Sequence, residues 1–156
     1  MRSGRRVAVD VGKVRVGLAV SDFHGILASP LPNVLRESEL GSTMIKLLEA
    51  IEEFEPIEIY VGLPLSMSAQ HTASTSDAVT FARALQLRTK TPVKLVDERL
   101  TSVSANAILR SSGKDGRQSR KLVDQVAATL ILEQALDLER AGNTAPGIDI
   151  GEYLND

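Results

Sequence analysis

V-A-V-D-V-G-K-V-R-V-G-L-A-V-S-D, residues 7–22, is the stretch whose reading decides the fold. Residues 7–11 form an apolar, β-branched run of the kind that makes a strand buried on both faces. Gly12 permits a tight turn, and R-V-G-L-A-V at 15–20 reads as a second strand, so the two form a hairpin. Asp10 lies inside the first strand, where a carboxylate is costly unless a cation, a metal or hydrogen-bond donors compensate it. Taken alone, it fits a turn acceptor as well as a functional acid.

The remainder of the 156-residue chain sets the class. S-P-L-P at 29–32 is expected to break regular structure, with an edge strand at 33–35. Residues 42–54 carry a helical apolar stripe that Pro56 ends, and I-E-I-Y-V at 57–61 is a strand closed by Gly62-Leu63-Pro64. A second helix is predicted over 74–87 and a further strand over 92–96. Thr101 or Ser102 caps a helix that stops near Gly113, a polar loop covers 113–118, and Ser119 caps a long last helix to about Ala141. The predicted architecture is α/β: a mixed five-stranded sheet, a three-strand antiparallel meander plus two parallel strands, with helices on both faces. One domain is expected over 1–142, followed by a polar, partly disordered tail over 143–156.

Composition narrows the function classes. With no cysteine, disulfides and thiolate metal sites are excluded, and two isolated histidines, His24 and His71, supply no ligand pair. No apolar run approaches the roughly 20 residues of a membrane span, and residues 1–6 are basic but lead into a strand, so a cytoplasmic protein without a signal peptide is expected. Eighteen basic against twenty acidic residues leave a net charge of −2, so nucleic-acid binding would rest on a local patch. P-loop, dinucleotide-binding and nucleophile-elbow motifs are absent from the sequence.

Acids are placed where α/β sheets build sites, beyond the carboxyl ends of parallel strands. Asp10 ends the first strand, and Asp97 and Glu98 end the last. Alternation sends those two to opposite sides, so one of them faces Asp10. Asp124 falls among Ala127, Ala128, Ile131 and Ala135 on the apolar arc of the last helix, where it either pairs with an arginine such as Arg15 or ligates a cation. Convergent carboxylates without cysteine suit Mg²⁺ or Mn²⁺. A basic cluster, Arg110, Lys114, Arg117, Arg120 and Lys121, surrounds the loop before that helix. Such a run is a solvated surface in most proteins; beside an acidic rim it fits a phosphate backbone, with Arg2, Arg5 and Arg6 extending it.

D-V-G-K-V-R-V-G-L-A-V-S-D at 10–22, V-G-L-P-L-S-M-S at 61–68, D-E-R-L-T-S at 97–102 and K-L-V-D-Q-V-A-A at 121–128 together resemble the YqgF/RuvX-type nucleases. The four motifs occur in the family's order across nearly the whole chain. The resemblance implies an RNase H-like fold, with Asp10, Glu98 and Asp124 as metal-binding catalytic acids for one or two ions. It further implies that Arg15, Gly17, Gly62 and Pro64 shape the site beside Gly12, and that Arg99 and Thr101 flank it. Ala69 departs from the family's glycine and leaves the conformation of that loop open. The implied reaction is metal-dependent phosphodiester hydrolysis in a bacterial cytoplasm. Processing of the 5′ end of pre-16S rRNA by a monomer or weak dimer ranks first, and resolution of four-way DNA junctions second. A nucleic-acid-binding module without catalysis would have no need of three acids, and an actin-type phosphotransferase would need a second lobe.

Overall fold

β1 (Arg6–Val11), β2 (Arg15–Ser21) and β3 (Ala28–Leu35) form the expected antiparallel meander. This description comes from a computed structural model that describes residues 1–66, 68–98, 116–142 and 144–154, with backbone alone for 116–125 and 154. α1 (Leu40–Glu52) leads to β4 (Glu58–Leu63), which pairs parallel with β1, and α2 (Ala73–Gln86) leads to β5 (Val93–Asp97), parallel with β4. α3 (Gly116–Gly142), β6 (Ile148–Asp149) and α4 (Ile150–Leu154) follow. The sheet order is β3-β2-β1-β4-β5-β6.

Three expectations are corrected. The sheet has six strands rather than five, because Ile148 and Asp149, in the segment expected to be a polar tail, pair antiparallel with Leu95 and Lys94. Lys94 Nζ also reaches the Asp149 carboxylate at 3.3 Å, a contact no local pattern shows. S-P-L-P at 29–32 lies inside β3 rather than breaking it. β3 is an edge strand, so prolines that lack an N–H are tolerated there, and they also blunt the edge against pairing with another chain. α3 begins at Gly116, ahead of the expected Ser119 cap, since Arg, Gln and Lys at 117–121 are good helix formers. The predicted helix from 101 and the start of its following loop lie outside the described residues.

The strands alternate between two cores. Val7, Val9, Leu18, Ile59, Val61 and Leu95 pack against Met44, Leu47 and Ile51 of α1 and Phe81 and Leu85 of α2. On the opposite face, Ala8, Ala19, Tyr60 and Val96 pack against Ala128, Ile131, Leu132, Ala135 and Leu136 of α3. Small residues on both partners let that 27-residue helix, about 40 Å long, lie close to the sheet.

At the end of the sheet where β1 and β4 begin, a buried ion cluster fastens α3. Glu139 accepts from Arg2 at 2.5 Å and from Arg6 at 2.7 Å, and Arg2 also pairs with Glu58 at 2.9 Å. Arg2 and Arg6 are therefore engaged at the far end of the strands from the acids and do not extend a basic patch around them; Arg6 is fully buried. Burial pushes the Glu139 carboxyl up, but the Arg2 hydrogen bonds and the Arg6 and Arg2 charges outweigh it and hold it at about 2, below its ordinary 4.5. A depressed carboxyl contributes stability that is full above pH 4.5 and is lost as pH falls through 2, on the order of 3 kcal/mol. Glu139→Gln, which leaves the Arg6 guanidinium buried without its carboxylate, is expected to cost about 3–5 kcal/mol at neutral pH and to flatten the acid limb of the stability curve. Urea unfolding from pH 2 to 7 reads both effects.

Candidate functional site

The parallel register puts the acids on one rim. β1 and β4 align Val9 with Val61, and β4 and β5 align Gly62 with Val96, so Asp10 and Gly62 are neighbours at the carboxyl ends of their strands. Ala8, Tyr60 and Val96 face α3, and alternation puts Asp10, Gly62 and Glu98 on that same side. Asp97 falls on the other side, so Glu98 is the acid that shares a face with Asp10. Its N–H donates to the Leu63 carbonyl at 3.3 Å, which continues the β4–β5 line one residue past the strand.

Glu98 is buried, and its side chain lies back across Gly62. A Cβ at position 62 would stand 2.2 Å from Glu98 Oε2 and 2.7 Å from Ile131 Cδ1. Glycine is thus required here for space, and its backbone lies at an ordinary φ. Burial pushes the Glu98 carboxyl well above the ordinary carboxylate range. The charge of Asp10, a hydrogen bond shared with Asp10, and the charge of Asp97 push it in the same direction. Each of these influences disfavours the ionised form of Glu98, and a cation between the two carboxyl groups would offset it.

The remaining motif residues frame this pair. Gly17 stands opposite Asp10 in the β1–β2 register and offers no side chain to crowd it. Gly12 makes the hairpin turn, where its N–H donates to the Arg15 carbonyl at 3.0 Å and a Cβ would stand 2.3 Å from that oxygen. Arg15 opens β2 on the face that carries Gly17. Pro64 follows β4, and its carbonyl accepts from the Thr75 hydroxyl in the first turn of α2. Thr75 also completes a capping box with Thr72, a local pattern that signals a helix start but not its link to this rim. Gln134 of α3 donates to the Asp97 carbonyl at 3.1 Å.

Asp124 is in α3, one turn before Ala128, which packs on the sheet; Arg117, Arg120 and Lys121 occupy the helix's first turns. Arg99, Thr101, Arg110 and Lys114 lie outside the described residues. His24 is exposed, and His71 is an exposed residue whose ring stacks on Tyr153 with centroids 5.7 Å apart.

Ala69 adopts φ 63°, the left-handed conformation a glycine would take without strain. Its N–H donates to the Ser66 carbonyl at 2.8 Å, and the Gln70 N–H to Ser66 Oγ at 3.0 Å, so the loop holds its turn despite the alanine. Ala69→Gly is therefore expected to stabilise the protein by about 1 kcal/mol, read as a rise in thermal midpoint. Gly62→Ala is expected to cost about 1–3 kcal/mol and to displace Glu98 from Asp10, so that any activity of the acid pair falls much further than stability does. Melting curves and activity at a temperature where both proteins stay folded separate the two effects.

A family model described as RuvX: Holliday junction resolvase matches residues 4–138. A protein of Leifsonia xyli subsp. xyli named "Putative pre-16S rRNA nuclease" is 52% identical over 147 residues, which cover 94% of each chain. A protein of the same name from Clavibacter michiganensis subsp. michiganensis is 49% identical over 94% of this chain and 91% of its own. Among solved structures, T. thermophilus RuvC in complex with Holliday junction substrate matches with a TM-score of 0.59 at 17% identity, covering 92% of this chain and 99% of that one. That likeness is one of fold, and it fits the RNase H-like architecture.

Proposed function

The chain belongs to the RuvX Holliday junction resolvase family, and from that premise we propose that it is a divalent-metal-dependent nuclease processing the 5′ end of pre-16S rRNA. The observation that carries the chemistry is the pairing of half-buried Asp10 with buried Glu98 at the carboxyl rim of the parallel strands. The substrate ranking follows the rRNA-nuclease relatives, which are about half identical over nearly the full chain. With an rRNA substrate the working place is the cytoplasm.

The donor set fits a hard cation. The two carboxyl groups are hard oxygen donors, and the burial and mutual repulsion that disfavour ionised Glu98 are what a cation would relieve. Asp10 and Glu98, with Asp124 from α3, would hold one or two Mg²⁺ or Mn²⁺. An ion held there would supply an activated water and charge stabilisation for the leaving oxygen in phosphodiester hydrolysis.

The chain's own residues do the rest. Gly62 keeps the space into which the Glu98 carboxyl folds, and Ile131 of α3 closes that space from the helix side, limiting bulk water at the acids. Arg117, Arg120 and Lys121, together with Arg110, Lys114 and Arg99, supply cations for the phosphate backbone, which gives affinity without choosing sequence. A single RNA strand needs one such site, so a monomer or weak dimer suffices, whereas a junction resolvase needs two sites in a symmetric dimer.

Cleavage of labelled pre-16S precursor and of four-way junctions, run side by side with and without Mn²⁺, tests the reading. Precursor is expected to be cut faster, and only with metal. Asp10→Asn, Glu98→Gln and Asp124→Asn are each expected to abolish cleavage with the fold retained, while Asp97→Asn costs stability more than chemistry. Junctions cut faster by a tight micromolar dimer would reverse the substrate ranking, and binding without cleavage in any divalent metal would leave a binding module.

A further inference from the structure

Arg36 follows β3 directly and lies outside every motif considered above. Its N–H donates to the Val14 carbonyl at 2.8 Å, and Nη1 donates to the Gly12 carbonyl at 3.1 Å, so one residue grips the β1–β2 turn at two carbonyls. The guanidinium also forks onto Asp77 of α2, with Nη1 2.6 Å from Oδ2 and Nη2 2.7 Å from Oδ1. Its carbon stands 5.6 Å from the ring centre of Phe81, a fully buried core residue one turn further along the same helix. The Arg36 side chain is 19% exposed and that of Asp77 35%, so the fork is partly shielded from water.

Two residues before Gly12 in sequence is Asp10. α2 lies against the sheet face opposite the acids, yet it reaches the end of β1, which carries Asp10, and the end of β4, which lies between β1 and β5. Asp77 reaches the turn after β1 through Arg36, and Thr75 reaches the Pro64 carbonyl, two residues after Gly62. The first two turns of α2 therefore brace the ends of β1 and β4 from behind.

We propose that Arg36 is a positioning residue for the nuclease reaction: anchored on Asp77, it holds the Gly12–Val14 turn so that Asp10 stays aimed at Glu98. The proposal rests on the reading of Asp10 as a catalytic acid. Planar, two-pronged geometry suits arginine for the task, since one guanidinium can serve a carboxylate and a carbonyl at once. The hydrogen bond and charge of Asp77 raise the Arg36 guanidinium further above its ordinary range, and Arg36 in turn lowers the Asp77 carboxyl. The pair therefore stays charged at any pH at which the enzyme works.

The test compares Arg36→Ala, Arg36→Lys and Asp10→Asn with the parent protein, each assayed with Mn²⁺ well below its own melting midpoint. Arg36→Ala is expected to lower kcat roughly 10- to 100-fold with KM within about twofold and with the salt dependence of binding unchanged. Amide exchange is expected to quicken at Lys13–Arg15 and to stay unchanged in β4. Arg36→Lys, which keeps a donor but not the fork, is expected to recover part of kcat, and it carries the test alone should the alanine variant not fold. A parental kcat in the Arg36 variants beside a dead Asp10→Asn would overturn the positioning role and leave the acid site standing. A raised KM with flattened salt dependence would overturn it too, because that is the signature of a phosphate contact. Cleavage by Asp10→Asn would remove the acid site itself, and the positioning role with it.

Discussion

A buried carboxyl group, Glu98, meets the half-buried Asp10 beside a glycine, and most of the local structure around the rim follows from that arrangement. Burial disfavours the charged form of Glu98 and the neighbouring Asp10 adds to it, so the Glu98 carboxyl sits well above the ordinary range. Keeping the pair together requires that nothing stand between them. Gly62 provides the gap, and a methyl group there would overlap Glu98 Oε2. Gly17, opposite Asp10, keeps the other flank equally bare. The small-residue face shared by β1, β2 and α3 then brings the helix that contains Asp124 close to the sheet.

Such an arrangement is unfavourable for folding in the absence of a cation, and the remainder of the molecule offsets it. The offset comes partly from two cores, one on each face of the sheet, built from β-branched strands and amphipathic helices. It also comes from the opposite end, where Arg2, Arg6, Glu58 and Glu139 form charge-assisted bonds that fasten α3 to the starts of β1 and β4. Like charges gather at one end of the strands and opposite charges at the other. The stabilising ion pairs and the acid rim thus occupy separate ends, a division familiar from α/β folds in which ligands bind beyond the carboxyl ends of strands.

Charged residues take different roles according to what surrounds them. Arg2 and Arg6 sit in a basic N-terminal run that, read linearly, looks like a surface for phosphate. In the fold they are ion-paired, and Arg6 has no exposed surface. Arg36, with no motif around it, grips a turn two residues from Asp10. Likewise Asp97 and Glu98 are adjacent acids with the same local composition, and only the pleat sends one to the opposite face and the other to the side of Asp10.

The hairpin, the alternation that separates Glu98 from Asp97, the two amphipathic helices and the small-residue arc of Ala127, Ala128, Ile131 and Ala135 all follow from short-range spacing, which is why the sequence alone determined them. Periods of 2 and 3.6 residues are properties of neighbouring positions, and they survive without knowledge of partners. What the tertiary structure decided depends on register between segments far apart in the chain. Alignment of Val9 with Val61 and of Gly62 with Val96 is what brings Asp10, Gly62 and Glu98 together, and no window of sequence contains all three. The same holds for S-P-L-P, readable as a break until β3 proves to be an edge. It holds for β6 as well, a two-residue strand that exists because Leu95 and Lys94 are there to receive it. Non-local pairing carries no signature in its own residues, because either partner alone is an ordinary stretch of chain.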